Sequence, residues 1–234
     1  MNRELPGAWR VYGRTVAFVL AVLFAVGTAG HLHAGTLSLM IRLTPWFGVL
    51  TNLLVAIPAV VAGGWRFPAW LAGTYVFTFS AEAAGVATGA VFGEYEYGPT
   101  MGWSWQGVPL LIAFNWALVV HGCFCLARRM APLRLGRFRH AGIVLLTGLL
   151  ATGFDWIMEP VAMHLDYWRW PGNMVPLQNY AAWFCIAALT SAFHPRTLCT
   201  ARRICSTGRL AGFYVILQAG FFIALRTGWH LQGG

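Results

Sequence analysis

The sequence predicts an all-α, polytopic membrane protein, a bundle of about seven transmembrane helices, and three observations carry that reading. Hydrophobic residues make up 58% of the 234 and charged residues only 10%, with a mean hydropathy of +0.62. A soluble domain needs about 25% charged residues to cover its surface. The apolar residues gather into seven segments, each near the roughly 20 residues that cross a bilayer. The sixteen basic residues are all arginine and divide unequally between the alternating loops.

The segments run over 15–33, 46–63, 69–91, 107–127, 141–160, 179–194 and 210–226. Arg3, Arg10 and Arg14 precede an apolar run from Val16 to about Ala29, a pattern shared with signal peptides. The spans that follow favour an uncleaved first helix. Placing the N-terminus in the cytoplasm puts thirteen arginines inside and only Arg42, Arg169 and Arg226 outside. Inner loops carry such an excess in membrane proteins, so the expected location is the cell membrane, multi-pass, with the N-terminus cytoplasmic. The net charge of +9 could suit nucleic acid, but the arginines fall in short loops rather than along one stripe, which excludes that partner. Cys123, Cys125, Cys185, Cys199 and Cys205 lack the spacing of a zinc site and read as reduced thiols. With no repeat and no long linker, residues 1–234 read as one integral-membrane domain.

The seven acidic residues are distributed against the arginines. Glu94, Glu96 and Asp166 fall in outer loops, Glu82 in the third span, and Asp155 and Glu159 in the outer half of the fifth; only Glu4 is inside. His31, Asn52, Asn115, Gln178 and Asn179 lie toward the same leaflet. Polarity therefore converges on one side of the membrane. Asp155 and Glu159 are four residues apart and share a helix face, about 6 Å apart along the axis. They continue a stripe through Gly148 and Thr152, and Thr74, Thr78, Glu82, Gly85 and Gly89 form a second stripe. Both should face the bundle interior.

A carboxylate within a span costs roughly 2.5–3.5 kcal/mol on insertion scales, so each of the three requires a partner, a proton or a chemical role. The structural alternative is an interhelical hydrogen bond, or pairing with Arg169 or a histidine. The chemical one is general acid catalysis, because desolvation favours a neutral carboxyl that can donate its proton. Tyr95, Tyr97, Trp103 and Trp105, and likewise Tyr167, Trp168 and Trp170, could form an interfacial belt or the wall of a pocket whose ring faces stabilise a cation. His31, His33 and His164 fit hydrogen bonding better than metal ligation.

Two segments carry a family resemblance. One runs from Glu94-Tyr-Glu-Tyr-Gly-Pro-Thr-Met-Gly through Gly107-Val-Pro-Leu-Leu-Ile-Ala-Phe-Asn-Trp116. The other contains Phe154-Asp-Trp-Ile-Met-Glu-Pro-Val-Ala-Met, Tyr167-Trp-Arg-Trp and Val175-Pro-Leu-Gln-Asn-Tyr-Ala-Ala-Trp183. Together they resemble the carotenoid biosynthesis membrane-protein family that contains the carotenoid hydratases. The family pattern usually has Asp before the proline, where this chain has Glu159, and a proline-containing Ile-Pro-Leu-Ala-Trp where this chain has Ile112-Ala-Phe-Asn-Trp.

The resemblance implies water addition to the terminal double bond of an acyclic carotenoid end, such as that of lycopene, γ-carotene or bisanhydrobacterioruberin, without a metal or cofactor. Asp155, Glu159 and Glu82 are the expected catalytic carboxyls. Glu94, Tyr95, Glu96, Tyr97, Trp103, Asn115, Trp116, Tyr167, Trp168, Trp170, Asn179 and His31 are the expected substrate-binding residues. The expected partners are the polyene, water and membrane lipid, with other carotenoid-pathway enzymes as further candidates. Two alternatives use the same acids: a lycopene-cyclase-like enzyme, in which a neighbouring double bond captures the cation, and a transporter or proton channel, in which the acids carry protons or cations.

Overall fold

Where the chain is apolar it is helical, and glycine and proline set most of the breaks. The computed structural model describes residues 7–131, 133–195 and 205–232; Arg3, Glu4, Arg196, Cys199, Arg202 and Arg203 lie outside the described residues. Seven α-helices are present among the described residues: α1 (Gly7–Leu32), α2 (Ala34–Gly63), α3 (Arg66–Thr88), α4 (Leu110–Met130), α5 (Arg139–His164), α6 (Leu177–Ala192) and α7 (Cys205–Leu231). The stretches Val11–Leu32, Ala34–Gly63, Leu110–Met130, Gly136–His164 and Thr207–Leu231 are long and apolar enough to cross a membrane. Two helices miss that mark: α6 has only 16 residues, and α3 carries Arg66, Glu82 and two buried threonines. The outward flanks are hydrocarbon. Phe18, Val26, Val61, Val76, Leu149 and Ile216 each expose more than half of their surface, which water would penalise and lipid accommodates. The protein is an all-α, polytopic membrane protein.

Two helix boundaries differ from the sequence expectation. Residues 34–45, read as a loop, form the first turns of α2, so His33 alone separates α1 from α2. Arg42 and the serine and threonines around it depress hydropathy there without interrupting helical geometry, and Pro45 lies within the helix. The two helices fold back on one another, with Gly30 against Met40 and the Phe24 ring edge-on to Phe47 at 5.1 Å. Pro160, expected to end the fifth span, lies inside α5, which continues to His164. Proline there removes one backbone donor, and the helix tolerates the loss.

Helix α4 occupies the centre and packs on α2, α3, α5, α6 and α7. Thirteen of its 21 residues are buried, and all but His121 among them are apolar or glycine, as a helix surrounded by others requires. Helices α5 and α6 form the most extensive pair. Gly148 on α5 makes this possible, because a Cβ there would meet the Phe184 ring at 2.9 Å.

The two long loops, between α3 and α4 and between α5 and α6, join over one end of the bundle. Gly89, in the left-handed conformation, ends α3 by donating its N–H to Gly85 O at 2.8 Å. The chain then forms β1 (Glu96–Tyr97), which pairs antiparallel with β4 (Trp168–Arg169) from the α5–α6 loop. Between β1 and α4, β2 (Ser104–Trp105) and β3 (Val108–Pro109) make a tight hairpin. Its two turn residues, Gln106 and Gly107, both have positive φ, as a two-residue hairpin turn requires. The β1–β4 pairing brings the two sequence motifs together, although Tyr97 and Trp168 stand 71 positions apart in the chain.

Candidate functional site

Beneath the paired loops lies a pocket lined by Glu82, Phe92, Tyr95, Tyr97, Ile112, Trp116, Asp155, Glu159, Trp168, Trp170, Asn179 and Trp183. Four helices and both loops contribute to it. The glycine and threonine stripe of α3 turns Glu82 inward, with Thr74, Thr78 and Gly85 buried on the same side. The i, i+4 spacing on α5 turns Asp155 and Glu159 to one face, and all three carboxyls are at most 2% exposed. Asn179 stands in the first turn of α6, from where its side chain reaches the α5 acids. The cavity volume is about 20 Å³, enough for one water molecule.

Each carboxyl meets at least one donor, and Asn179 serves two of them. Tyr95 donates its phenolic proton to Glu82 Oε2 in a short hydrogen bond. Trp168 and Trp170 both donate from Nε1 to Glu159 Oε2, each at 2.9 Å. Asn179 Nδ2 donates to Asp155 Oδ2 at 2.7 Å and more weakly to Glu159 Oε1 at 3.4 Å. Asp155 Oδ1 is buried without a hydrogen-bond partner. The acids therefore pair neither with Arg169 nor with a histidine. Arg169 binds Asp166 at 2.8 Å and Glu96 at 3.5 Å on the exposed outer face.

The aromatic groups complete the enclosure. Trp183 stacks on Trp116 with ring centres 3.8 Å apart, and Phe92 stacks on Trp183 at 4.9 Å. Tyr95 lies against Trp170 at 5.0 Å. Burial first, and then the Glu82 charge, push the phenols of Tyr95 and Tyr97 well above the ordinary tyrosine range, so both stay protonated and serve as donors. The β1–β4 pairing holds Tyr97 opposite Trp168. It depends on Gly98, whose N–H donates to Tyr167 O at 2.9 Å and whose missing side chain would lie 2.1 Å from Asp166 O.

Not all of the expected residues meet here. Glu82, Asp155, Glu159, Tyr95, Tyr97, Trp116, Trp168, Trp170 and Asn179 do. Glu94 and Glu96 do not: both are exposed on the loop, because alternation along an extended strand sends every second side chain away from the pocket. Trp103 is 70% exposed and packs edge-on against Trp46 at 5.1 Å, outside the pocket. His31, Asn115 and Tyr167 line a neighbouring chamber instead, which borders the pocket at Ile112 and Trp168. Phe92, Ile112 and Trp183 were not anticipated. An aromatic or aliphatic residue in an apolar segment carries no mark that separates a pocket wall from a lipid-facing flank. Among the described residues, no three His, Cys, Asp or Glu side chains are arranged to hold a metal ion.

Buried acids capped by tyrosine, tryptophan and asparagine donors within an apolar helix bundle define a class, integral-membrane proteins with an acid site buried inside the bundle. Within it, this chain belongs to the carotenoid biosynthesis protein family, whose pattern it matches over residues 43–228. It is 29% identical over 181 residues to a bisanhydrobacterioruberin hydratase of Haloarcula japonica, covering 71% of this chain and 60% of that relative. The chain thus spans about 60% of the length of the curated relative it matches. No solved structure matches it. The family range includes every residue of the acid pocket and leaves out α1.

Proposed function

We propose that this protein is a carotenoid hydratase of the cell membrane, with its N-terminus cytoplasmic, that adds water to the terminal double bond of an acyclic carotenoid end. The observation that carries the reading is Asp155 Oδ1, a buried carboxyl oxygen with no partner in a pocket with room for about one water. Asp155 transfers its proton to the less substituted carbon of the terminal alkene and leaves a tertiary cation. The Trp116–Trp183 stack and the Tyr95 and Trp170 rings face the pocket and stabilise that charge. The water adds its oxygen to the cation and returns a proton to the carboxylate, so the acid is regenerated and the net change is one water gained. Glu159 and Glu82 are positioned by their indole and phenol donors to orient the water.

The test is expression in a host that accumulates lycopene, followed by mass measurement of the pigments. A gain of one water is the expected result. An isomer of unchanged mass would replace hydration with cyclisation. Unaltered lycopene, γ-carotene and bisanhydrobacterioruberin would together overturn the reading.

A further inference from the structure

Beside the acid pocket lies a larger chamber, about 240 Å³, between α1, α2, α4, α5 and α7. Its wall is mostly leucine, phenylalanine, methionine and glycine, yet three buried polar side chains on it are incompletely satisfied. His31 Nε2, Asn52 Nδ2 and Gln218 Nε2 have no hydrogen-bond partner, and the residues are 6%, 0% and 7% exposed. Their chemistry is complementary. His31 Nδ1 lies 2.7 Å from Gly27 O; a carbonyl only accepts, so Nδ1 carries the proton of the neutral ring and Nε2 is left as an acceptor. The two amide nitrogens are donors. Asn52 is fixed by Tyr214, which donates to its Oδ1 at 2.7 Å. Gln218 follows Tyr214 by one turn of α7, and His31 packs edge-on at 5.3 Å against Phe221, a further turn along. The three side chains thus line the chamber from three helices, α1, α2 and α7.

We infer that this chamber is a second binding site, for a hydroxyl group carried on an acyclic isoprenoid chain. The hydroxyl donates to His31 Nε2 and accepts from the amide of Gln218 or Asn52. It rests on the hydratase reading for the isoprenoid chain, whereas the hydroxyl is read from the three atoms themselves. A hydrocarbon filling the chamber would leave all three unpaired, and a ketone would leave His31 unpaired. An alcohol satisfies an acceptor and a donor together, and a site built for a hydroxyl discriminates against the analogue that lacks it. Ile112 and Trp168 line both cavities, so the two lie side by side.

The experiment compares binding of lycopene and 1-hydroxylycopene to the full chain in detergent micelles, read by quenching of tryptophan fluorescence by the polyene. The wild type should bind the alcohol about tenfold more tightly, the scale of one to two hydrogen bonds. Gln218→Leu and His31→Phe should each bring the two affinities within about twofold of one another. Equal binding of both pigments by the wild type overturns the proposal and needs no variant to fold; it is the result expected of a chamber that holds only water or lipid. A preference that survives in both variants overturns it as well. A protein that prefers the alcohol yet adds no water to lycopene removes the hydratase reading and leaves the chamber assignment standing.

Discussion

Asn179 Nδ2 lies 2.7 Å from Asp155 Oδ2, so the first turn of α6 holds one oxygen of a carboxyl on α5 and leaves the other free. A single amide thereby sets the direction in which Asp155 presents Oδ1. Replacing Asp155 by Asn keeps the size of the side chain and its contact distance but removes the transferable proton. Asp155→Asn should lower turnover by at least about a hundredfold, the lower end of what a positioned acid contributes, while the protein still inserts. Pigment conversion measured beside membrane-fraction abundance checks this, and near-normal turnover would remove Asp155 as the donor. Asn179→Leu should cost less, about tenfold, because the acid survives and only its aim is lost.

Glu159 Oε2 depends on two indoles, Trp168 and Trp170. Either Trp→Phe change removes one donor and leaves the other, and each single variant should cost about 1 kcal/mol of stability. The double variant strips that buried oxygen of both indole donors, so its cost should exceed the sum of the singles. A double-mutant cycle on thermal unfolding in detergent measures the excess. Strict additivity would mean that Glu159 finds another donor.

The acid pair on α5 was legible in the sequence because carboxyls four residues apart stand out in an apolar segment that otherwise avoids charge. Its asparagine partner, Asn179, was legible because polar residues at the ends of spans converged on one leaflet. The pairing of Tyr97 with Trp168 across the β1–β4 ladder was not, since strands of two residues carry no periodicity. Residues 34–45 were misread because hydropathy averages Arg42 and its polar neighbours into an apparent loop, although neither Gly35 nor Pro45 interrupts the helix there. Proline at 160 reads as a stop only when helices are treated in isolation; inside a packed bundle the neighbouring helices sustain α5.

Trp183 was the least visible contributor, and its position makes a kinetic prediction. Its ring stacks on Trp116 at 3.8 Å and lines the acid pocket. A ring face stabilises a cation by about 0.5–2 kcal/mol, and the cation exists only after protonation. Trp183→Leu should therefore lower kcat by about three- to thirtyfold with a smaller effect on KM. An unchanged kcat with a raised KM would reduce Trp183 to a binding surface.

Gly122 on α4 tests the frame without touching the acids. A Cβ there would sit 2.4 Å from Val215 Cγ2 and 2.5 Å from Ala211 O on α7. The side chain of Val215 can turn, but the carbonyl belongs to the helix backbone and moves only if α7 moves. Close approach of helices through small residues is a main source of cohesion in membranes, where apolar surfaces gain nothing by leaving lipid. Gly122→Ala should therefore destabilise by about 1–3 kcal/mol, the usual range for overpacking. Gly220, also on α7, has nothing within 4 Å of its would-be Cβ. Gly220→Ala should stabilise by about 0.5–1 kcal/mol through reduced backbone freedom. Unfolding of the two variants side by side in detergent checks both signs, and a neutral Gly122→Ala would mean that α4 and α7 are packed less closely than these distances require.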